Sequence, residues 1–341
     1  MMFEKRIIVL ALCCLVFVLL AVSPSECKVH TFKVTPEEGY HGFWESTVKP
    51  ALTIDDGDTV IFNTLMLFEG KLRPGMTIKE LLALRDDIVA RGNGVYAFTG
   101  PFYINGAEPG DVLEIRIKRI QLGETGVAYV YPDERKAGGL PDGSGGFKDG
   151  YFKDFKYSTD KKTAELVPGI VIPLRPFLGT MGVSPKEGER HPPAVPKYFA
   201  GNMDNKELIA GTTLFIPVNV PGALFMAADG HAVQADGEVC ITGIETAFEE
   251  VELQFIVRKD MKLNLPMAET PTHWITMGFH EDLNEAMRIA LRESIDFLST
   301  TKNLSREDAY VLCSLAVDFR VTQIVDGNKG IHGMIPKSIF K

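Results

Sequence analysis

The chain has 341 residues, a formal net charge of -9 and a pI near 5.4. Binding to nucleic acid depends on a basic surface that releases counterions, so this charge predicts no nucleic-acid partner. The length is sufficient for one large domain, or two closely packed ones, with a substantial core.

The N-terminus has the layout of a secretory signal. Two basic residues precede an apolar stretch over residues 7–22, and a Ser/Pro-rich break follows at residues 23–25. The stretch is shorter than the roughly 20 residues that span a bilayer. We therefore expect residues 1–27 to be a cleaved signal peptide, which predicts a periplasmic or secreted protein without a stable membrane span after cleavage. The alternatives are an uncleaved anchor and a lipid anchor at Cys27, whose preceding residues match such a site poorly.

Cysteine usage predicts no disulfide framework and no cysteine-based zinc site. Two of the five cysteines lie in the leader and Cys27 lies at its end. Cys240 and Cys313 each sit in an apolar pattern, which is typical of small core residues.

Alternation of side chains predicts strands in the first two thirds of the mature chain. In the segment 111–120, Leu113, Ile115 and Ile117 alternate with charged residues, which is the period of a half-exposed strand. A second run, over residues 59–62, follows an acidic turn. Residues 123–168 are rich in Gly, Asp, Lys and aromatic residues, and they are either a flap over a site or an exposed insertion.

The pattern changes to helical spacing after Pro271. Apolar residues recur with a helical period over residues 281–300, and Ser305 is placed to cap a second helix whose first turn contains Asp308. A strand around residues 320–325, a turn and a final extended segment follow. We predict a mainly β fold, with a β-sandwich-like (jelly-roll-type) body over residues 28–270 and an α+β C-terminal portion over residues 271–341 packed on the same domain.

The densest group of chemically active side chains lies in residues 229–238. In an extended chain Asp229 and His231 project to one face, while Gln234, Asp236 and Glu238 share the other unless a turn intervenes. Imidazole and carboxylate groups at this spacing can hold a metal ion, which would lower the pKa of a bound water and polarise an amide carbonyl. The alternative is a polar hairpin whose His and Asp satisfy one another.

Two further segments carry candidate residues. Asn202 can bond to a carboxamide and Asp204 can bind a metal or orient a water, although the same residues also form ordinary turn caps. Glu108 lies between Ala107 and Pro109 on a stiff turn, where it is a candidate base or ligand, or a solvated turn residue. The serine-nucleophile elbow, the phosphate-binding loop and the His-Glu-x-x-His motif are not found in the sequence.

In their order along the chain, these segments resemble the acetamidase/formamidase family. The resemblance extends over roughly residues 28–341. It rests on residues 41–43, 49–55, 57–60, 99–113, 176–183, 201–208, 221–225, 229–245, 268–276 and 325–330.

The resemblance implies a β-rich amidase that hydrolyses short linear amides, such as formamide or acetamide, to carboxylate and ammonia. It implies a divalent metal, expected to be zinc with calcium as the alternative, a small amide as substrate, and a homo-oligomer. In the implied site, the metal ligands are Asp229, His231, Asp204 and Asp236. Glu238 or Glu108 transfers protons, and Asn202 and Gln234 orient the amide. Glu245 is a further possible member of the site.

Two positions depart from the family pattern. Ala228 and Ala235 stand where glycine is usual, and a methyl group there could reshape the pocket. The rival interpretation is therefore a non-catalytic periplasmic protein of the same fold that binds a small molecule.

Overall fold

The computed structural model describes residues 27–341. The predicted signal peptide lies, except for Cys27, outside the described residues. Within the described part, no helix combines the length and the apolar character that a membrane crossing needs.

The described chain is built mainly from strands. They are β1 (Val29–Phe32), β2 (Trp44–Glu45), β3 (Leu52–Ile54), β4 (Thr59–Phe62), β5 (Thr99–Ile104), β6 (Val112–Leu122), β7 (Thr125–Val130), β8 (Tyr151–Lys156), β9 (Thr163–Val167), β10 (Ile170–Pro173), β11 (Phe177–Gly182), β12 (Arg190–His191), β13 (Ala200–Asn202), β14 (Thr213–Pro217), β15 (Phe225–His231), β16 (Glu245–Thr246), β17 (Phe248–Arg258), β18 (Met267–Glu269), β19 (His273–His280), β20 (Asp318–Gln323) and β21 (Lys329–Pro336). The helices are α1 (Ile78–Ala90), α2 (Leu283–Lys302) and α3 (Arg306–Ala316), and short 3-10 turns occur at Asp133–Arg135 and Lys337–Ile339.

Two large sheets enclose the main core. The larger one has nine strands in the order β1-β4-β17-β6-β14-β18-β19-β21-β20, and the other has eight, with β13-β11-β15-β16-β7-β8 as its main path and β5 and β3 joined to it through β15. Phe255 of the first sheet packs against Phe225 and Phe102 of the second, with ring centroids 5.0 and 6.1 Å apart. The two sheets therefore pack face to face through aromatic side chains.

The strands form where alternation predicted them. β6 and β4 coincide closely with the predicted segments 111–120 and 59–62. In β6 the side chains of Leu113, Ile115 and Ile117 are buried, because they face the core while their charged neighbours on that strand mostly face solvent.

The helices follow local capping signals. Asp282 caps α2, and Ser305 caps α3 through its hydroxyl, which accepts from the backbone N of Asp308 at 3.0 Å. α1 is an addition to the predicted elements, and it begins with a capping box between Thr77 and Glu80.

The C-terminal portion completes the larger sheet. β19, β20 and β21 continue it, and α2 packs on β19 and β21 through Ala286, Ala290 and Ile331. The predicted mainly β fold with helices near the C-terminus is confirmed.

Candidate active site

Asp229 and His231 lie at the end of β15, inside the eight-stranded sheet. β15 pairs with β11, where His231 is opposite Phe177, and with β16, where His231 is opposite Glu245. His231 Nε2 lies 3.5 Å from Asp229 Oδ2 and 3.2 Å from Glu245 Oε1, and all three side chains are buried. The imidazole therefore contacts two carboxylates in the interior.

Asn202 and Asp204 reach the same place from the end of β13. This strand also pairs with β11, and the backbone N of Asp204 donates to Gly179 O at 3.1 Å. Asn202 Nδ2 donates to Asp204 Oδ2 at 2.6 Å and to Asp326 Oδ2 at 3.0 Å, while its Oδ1 accepts from Thr180 Oγ1. Both hydrogens of this amide are thus engaged by carboxylates, and the predicted role of Asn202 in orienting the substrate amide stays a prediction.

A turn at Gly237 separates Asp236 from Glu238. Gly237 has φ +98°, and the chain folds back so that Glu238 is buried beside Asp204. Asp236 stays outside, with Oδ2 2.8 Å from Lys206 Nζ. The structure therefore does not bring Asp236, predicted as a metal ligand, to the candidate site, because the turn reverses its direction and a lysine pairs with it.

Of the predicted residues Glu108 and Gln234, only Gln234 lies in the candidate site. Glu108 is exposed on the turn before β6, where its backbone N donates to Asp111 Oδ2 at 3.0 Å, and it does not belong to the buried acidic group. The proton-handling role predicted for Glu108 is therefore not supported by its position. Gln234 is buried in the site, and its Nε2 donates to the backbone O of Asp204 at 3.0 Å.

Asp326 is a site residue that the sequence analysis missed. It lies in the turn between β20 and β21, which Gln323 holds by donating to Asn328 O and accepting from Val325 N, both at 2.8 Å. Gln323 also forms a bridge with Gly237, next to Glu238. The C-terminal portion thus supplies a carboxylate to the site.

These side chains form two adjacent triads of possible metal ligands. One is Asp204, Asp229 and His231, and the other is Asp204, Glu238 and Asp326; within each triad the candidate ligand atoms lie within 4.8 Å of one another. Asp204 is common to both. These acidic and histidine groups could hold a metal ion.

Burial changes the acid-base properties of the group. Burial raises the pKa of Asp204 and of Glu238 well above the usual range, and neighbouring carboxylates raise both further. Burial together with Asp229 raises the pKa of Glu245 and of Asp326 to about 7. Burial alone would lower the pKa of His231, but Glu245 and Asp229 raise it well above its usual value. Carboxylates this close share protons unless a cation joins them.

The unsatisfied polar atoms fit a metal ion. Asp204 Oδ1, Glu238 Oε2, Glu245 Oε2 and both ring nitrogens of His231 are buried without a hydrogen-bond partner. Buried charges normally have such a partner, an opposite charge or a metal. The residues present therefore fit the metal that the family resemblance implies.

Gly179 leaves space between the candidate ligand atoms because it has no side chain. A Cβ atom at this position would lie 2.5 Å from Asp204 Oδ1 and 2.6 Å from Asp229 Oδ2. Even the smallest side chain would therefore occupy the space between the candidate ligand atoms.

Three of the acidic residues have unusual backbone conformations. Asp204, Asp229 and Glu238 have φ values of +52°, +60° and +43°, in the left-handed region that such residues rarely adopt. Strain of this kind is concentrated at functional sites because the surrounding structure must hold it.

A cavity of about 170 Å³ adjoins the cluster. Its wall includes the acids Asp229, Glu238, Glu245 and Asp326. Arg85 also lines the cavity, and the other parts of its wall are aromatic or apolar, including Phe68, Tyr96, Tyr129, Tyr131 and Ala137. Its size suits a small molecule, and three of the candidate metal ligands, Asp229, Glu238 and Asp326, reach its wall.

Comparison with known proteins assigns the family. The model of the acetamidase/formamidase family matches residues 29–191 and 186–341. A putative formamidase of Schizosaccharomyces pombe is 24% identical over 261 residues, which are 60% of this chain and 60% of that protein.

Solved structures agree with the family model over nearly the whole chain. An acetamidase from Bacillus halodurans is 31% identical and superposes with a TM-score of 0.80, covering 91% of this chain and 98% of that one. An acetamidase from Yersinia enterocolitica is 26% identical with a TM-score of 0.82, covering 93% and 94%. The chain therefore belongs to the acetamidase/formamidase family, whose members are amidases that act on C–N bonds.

Proposed function

We propose that this protein hydrolyses short linear amides to a carboxylate and ammonia with the help of a bound divalent metal. One observation carries the proposal: two triads of buried ligand atoms share Asp204 beside a small cavity. The predicted periplasmic or secreted location and the predicted homo-oligomer remain predictions.

The ligand types favour particular metals. Asp204, Asp229 and His231 offer the carboxylate and imidazole donors that suit zinc, whereas Asp204, Glu238 and Asp326 offer only oxygen donors, which suit a harder cation such as calcium. A metal held there would polarise the amide carbonyl and lower the pKa of a bound water.

We assign proton transfer to Glu245. Its Oε1 accepts from Gly243 N at 3.1 Å, which fixes the carboxylate, and its Oε2 is buried without a partner. Glu245 also lines the cavity, so its carboxylate is near enough to a bound amide to take a proton from the attacking water and pass it to the leaving nitrogen. Glu238 also has an unpartnered oxygen, Oε2, but we place it in the all-carboxylate triad.

The test is ammonia release from formamide, acetamide and propionamide, with and without a chelator. We expect turnover that the chelator abolishes and that added zinc or calcium restores. Glu245→Gln should retain the metal and lose most of kcat, whereas Asp229→Asn should lose the metal itself. Amide binding without turnover under all metal conditions would instead support the rival, a non-catalytic binding protein.

A further inference from the structure

A second, apolar cavity lies next to the candidate active site. Its volume is about 330 Å³, and its wall includes Val130, Leu140, Phe147, Val239 and Ile324, which we call the apolar chamber. It lies between the loop over residues 131–150 and the two segments that carry Glu238 and Asp326. The chamber is thus built on the same backbone as the site.

The two cavities share part of their wall. Tyr131 and Ala137 line both the chamber and the 170 Å³ cavity beside the acidic cluster. The loop is fixed to the site segment by a hydrogen bond from Gly139 N to Val239 O at 2.8 Å. Tyr131 and Ala137 thus border both cavities, so a substrate with its amide in the small cavity would have to pass these two residues to place its acyl group in the chamber.

The rim of the chamber leaves apolar side chains in solvent. Leu140 is 50% exposed, Phe147 42% and Val239 64%. Large apolar side chains grouped around a concave surface often mark a ligand site. Asp133 is the charged residue in the chamber wall, so an anionic group would be disfavoured there.

We propose that the apolar chamber binds the apolar acyl group of the substrate, so that the preferred substrates are neutral amides with a chain of about four to six carbons or a phenyl group. This inference rests on the proposed amidase function. A cavity of about 150 Å³ can already hold benzene, so the chamber has room for such a group. Each methylene transferred from water contributes about 0.8 kcal/mol, which corresponds to roughly fourfold in kcat/KM.

The test is kcat/KM across acetamide, butanamide, hexanamide and phenylacetamide, with adipamate as a charged analogue of hexanamide. We expect kcat/KM to rise from acetamide to hexanamide by roughly 10-fold if the four added methylenes are partly buried and by up to about 200-fold if they are fully buried, and adipamate to lose that gain. If acetamide is hydrolysed but kcat/KM does not increase with chain length, the chamber proposal is wrong and the amidase function stands.

A variant pair locates the effect. Leu140→Asp places a charge at the rim and should lower the ratio of kcat/KM for hexanamide to that for acetamide by at least about tenfold. Val171→Asp is the matched control, because Val171 is 58% exposed on β10 and is not part of the chamber wall. If Leu140→Asp instead dissociates an oligomer without changing this ratio, the chamber is an interface and the proposal fails.

Binding can be measured without turnover. Cys240 lines the chamber and is partly exposed, so its alkylation by N-ethylmaleimide can be followed by peptide mass spectrometry. Hexanamide should slow this reaction several-fold and acetamide should not. If no amide is hydrolysed, the proposed function fails, and the alkylation rates alone then test whether the chamber binds an apolar acyl group. Equal alkylation rates with both amides would contradict that binding.

Discussion

Buried carboxylates in the described part of the chain differ in what surrounds them. Glu69 lies 2.7 Å from Lys71 and 2.8 Å from Arg91, and Glu114 lies 2.7 Å from Arg116 and 2.6 Å from Arg258. The acidic group of the candidate site instead meets carboxylates and one histidine, His231.

The pKa values express this difference. Burial alone would raise the pKa of Glu69, but Lys71, Asn93 and Arg91 lower it to about 2. The pKa of Glu245, which His231 lowers less than burial raises it, is about 7. Burial of an acid is therefore not by itself a sign of function; in the described part of the chain the site differs because its five carboxylates have one histidine, His231, and no lysine or arginine as an ion-pair partner.

The largest expected effect comes from the residue common to both triads. Asp204→Asn should lower kcat/KM for a small amide by at least about 1000-fold, because it removes a charged donor from both candidate metal positions. Ammonia release and metal content measure the result. Retention of both metal and activity would remove the basis for treating the two triads as a metal centre.

A smaller loss is expected when the space between the ligand atoms is filled. Gly179→Ala places a methyl group about where Asp204 and Asp229 approach each other, so metal affinity should fall by about 10- to 100-fold. Competition with a fluorescent chelator gives the affinity. A variant that binds metal like the wild type would mean that the triad can shift without cost.

Removing an acid that is paired with arginines should affect stability and not activity. Glu114→Gln leaves Arg116 and Arg258 without a common partner, which we expect to lower the free energy of unfolding by about 1 to 2 kcal/mol, a modest value because both arginines are partly exposed. Turnover per folded molecule should stay within about twofold. Urea denaturation and ammonia release separate the two quantities.

The effect of Glu69 should depend on pH. Its folded-state pKa is lowered, so its contribution is present above the unfolded pKa near 4.5 and is lost as the pH falls through about 2. Glu69→Gln should therefore lower the free energy of unfolding by about 1 kcal/mol at pH 7, and the difference from wild type should disappear near pH 2. A difference that is constant with pH would contradict the assignment of the ion pairs.

The sequence predicts the parts of the fold in which local patterns dominate. β6 is recognisable from its alternating residues, and α2 and α3 from helical spacing and from caps such as Ser305. α1 is less recognisable because only Leu81 and Ile88 of its 13 residues are buried. Its apolar stripe is correspondingly weak.

The sequence predicts only those site residues that are close together along the chain. Asp229 and His231 are two residues apart on one strand, so their proximity follows from strand geometry. Asp326 is joined to them by pairing of distant segments, and its sequence context is that of an ordinary turn. Glu108 and Glu238 both look like acids in turns, and tertiary packing, which buries Glu238 and leaves Glu108 in solvent, separates them.

The central claim is that the buried acids around His231 hold a metal that amide hydrolysis requires. Elemental analysis of the purified protein, paired with ammonia release before and after chelation, tests it most directly. We predict about one to two bound divalent ions per chain, loss of turnover when they are removed, and recovery when they are returned. Full turnover of acetamide by protein shown to contain no metal would contradict the account.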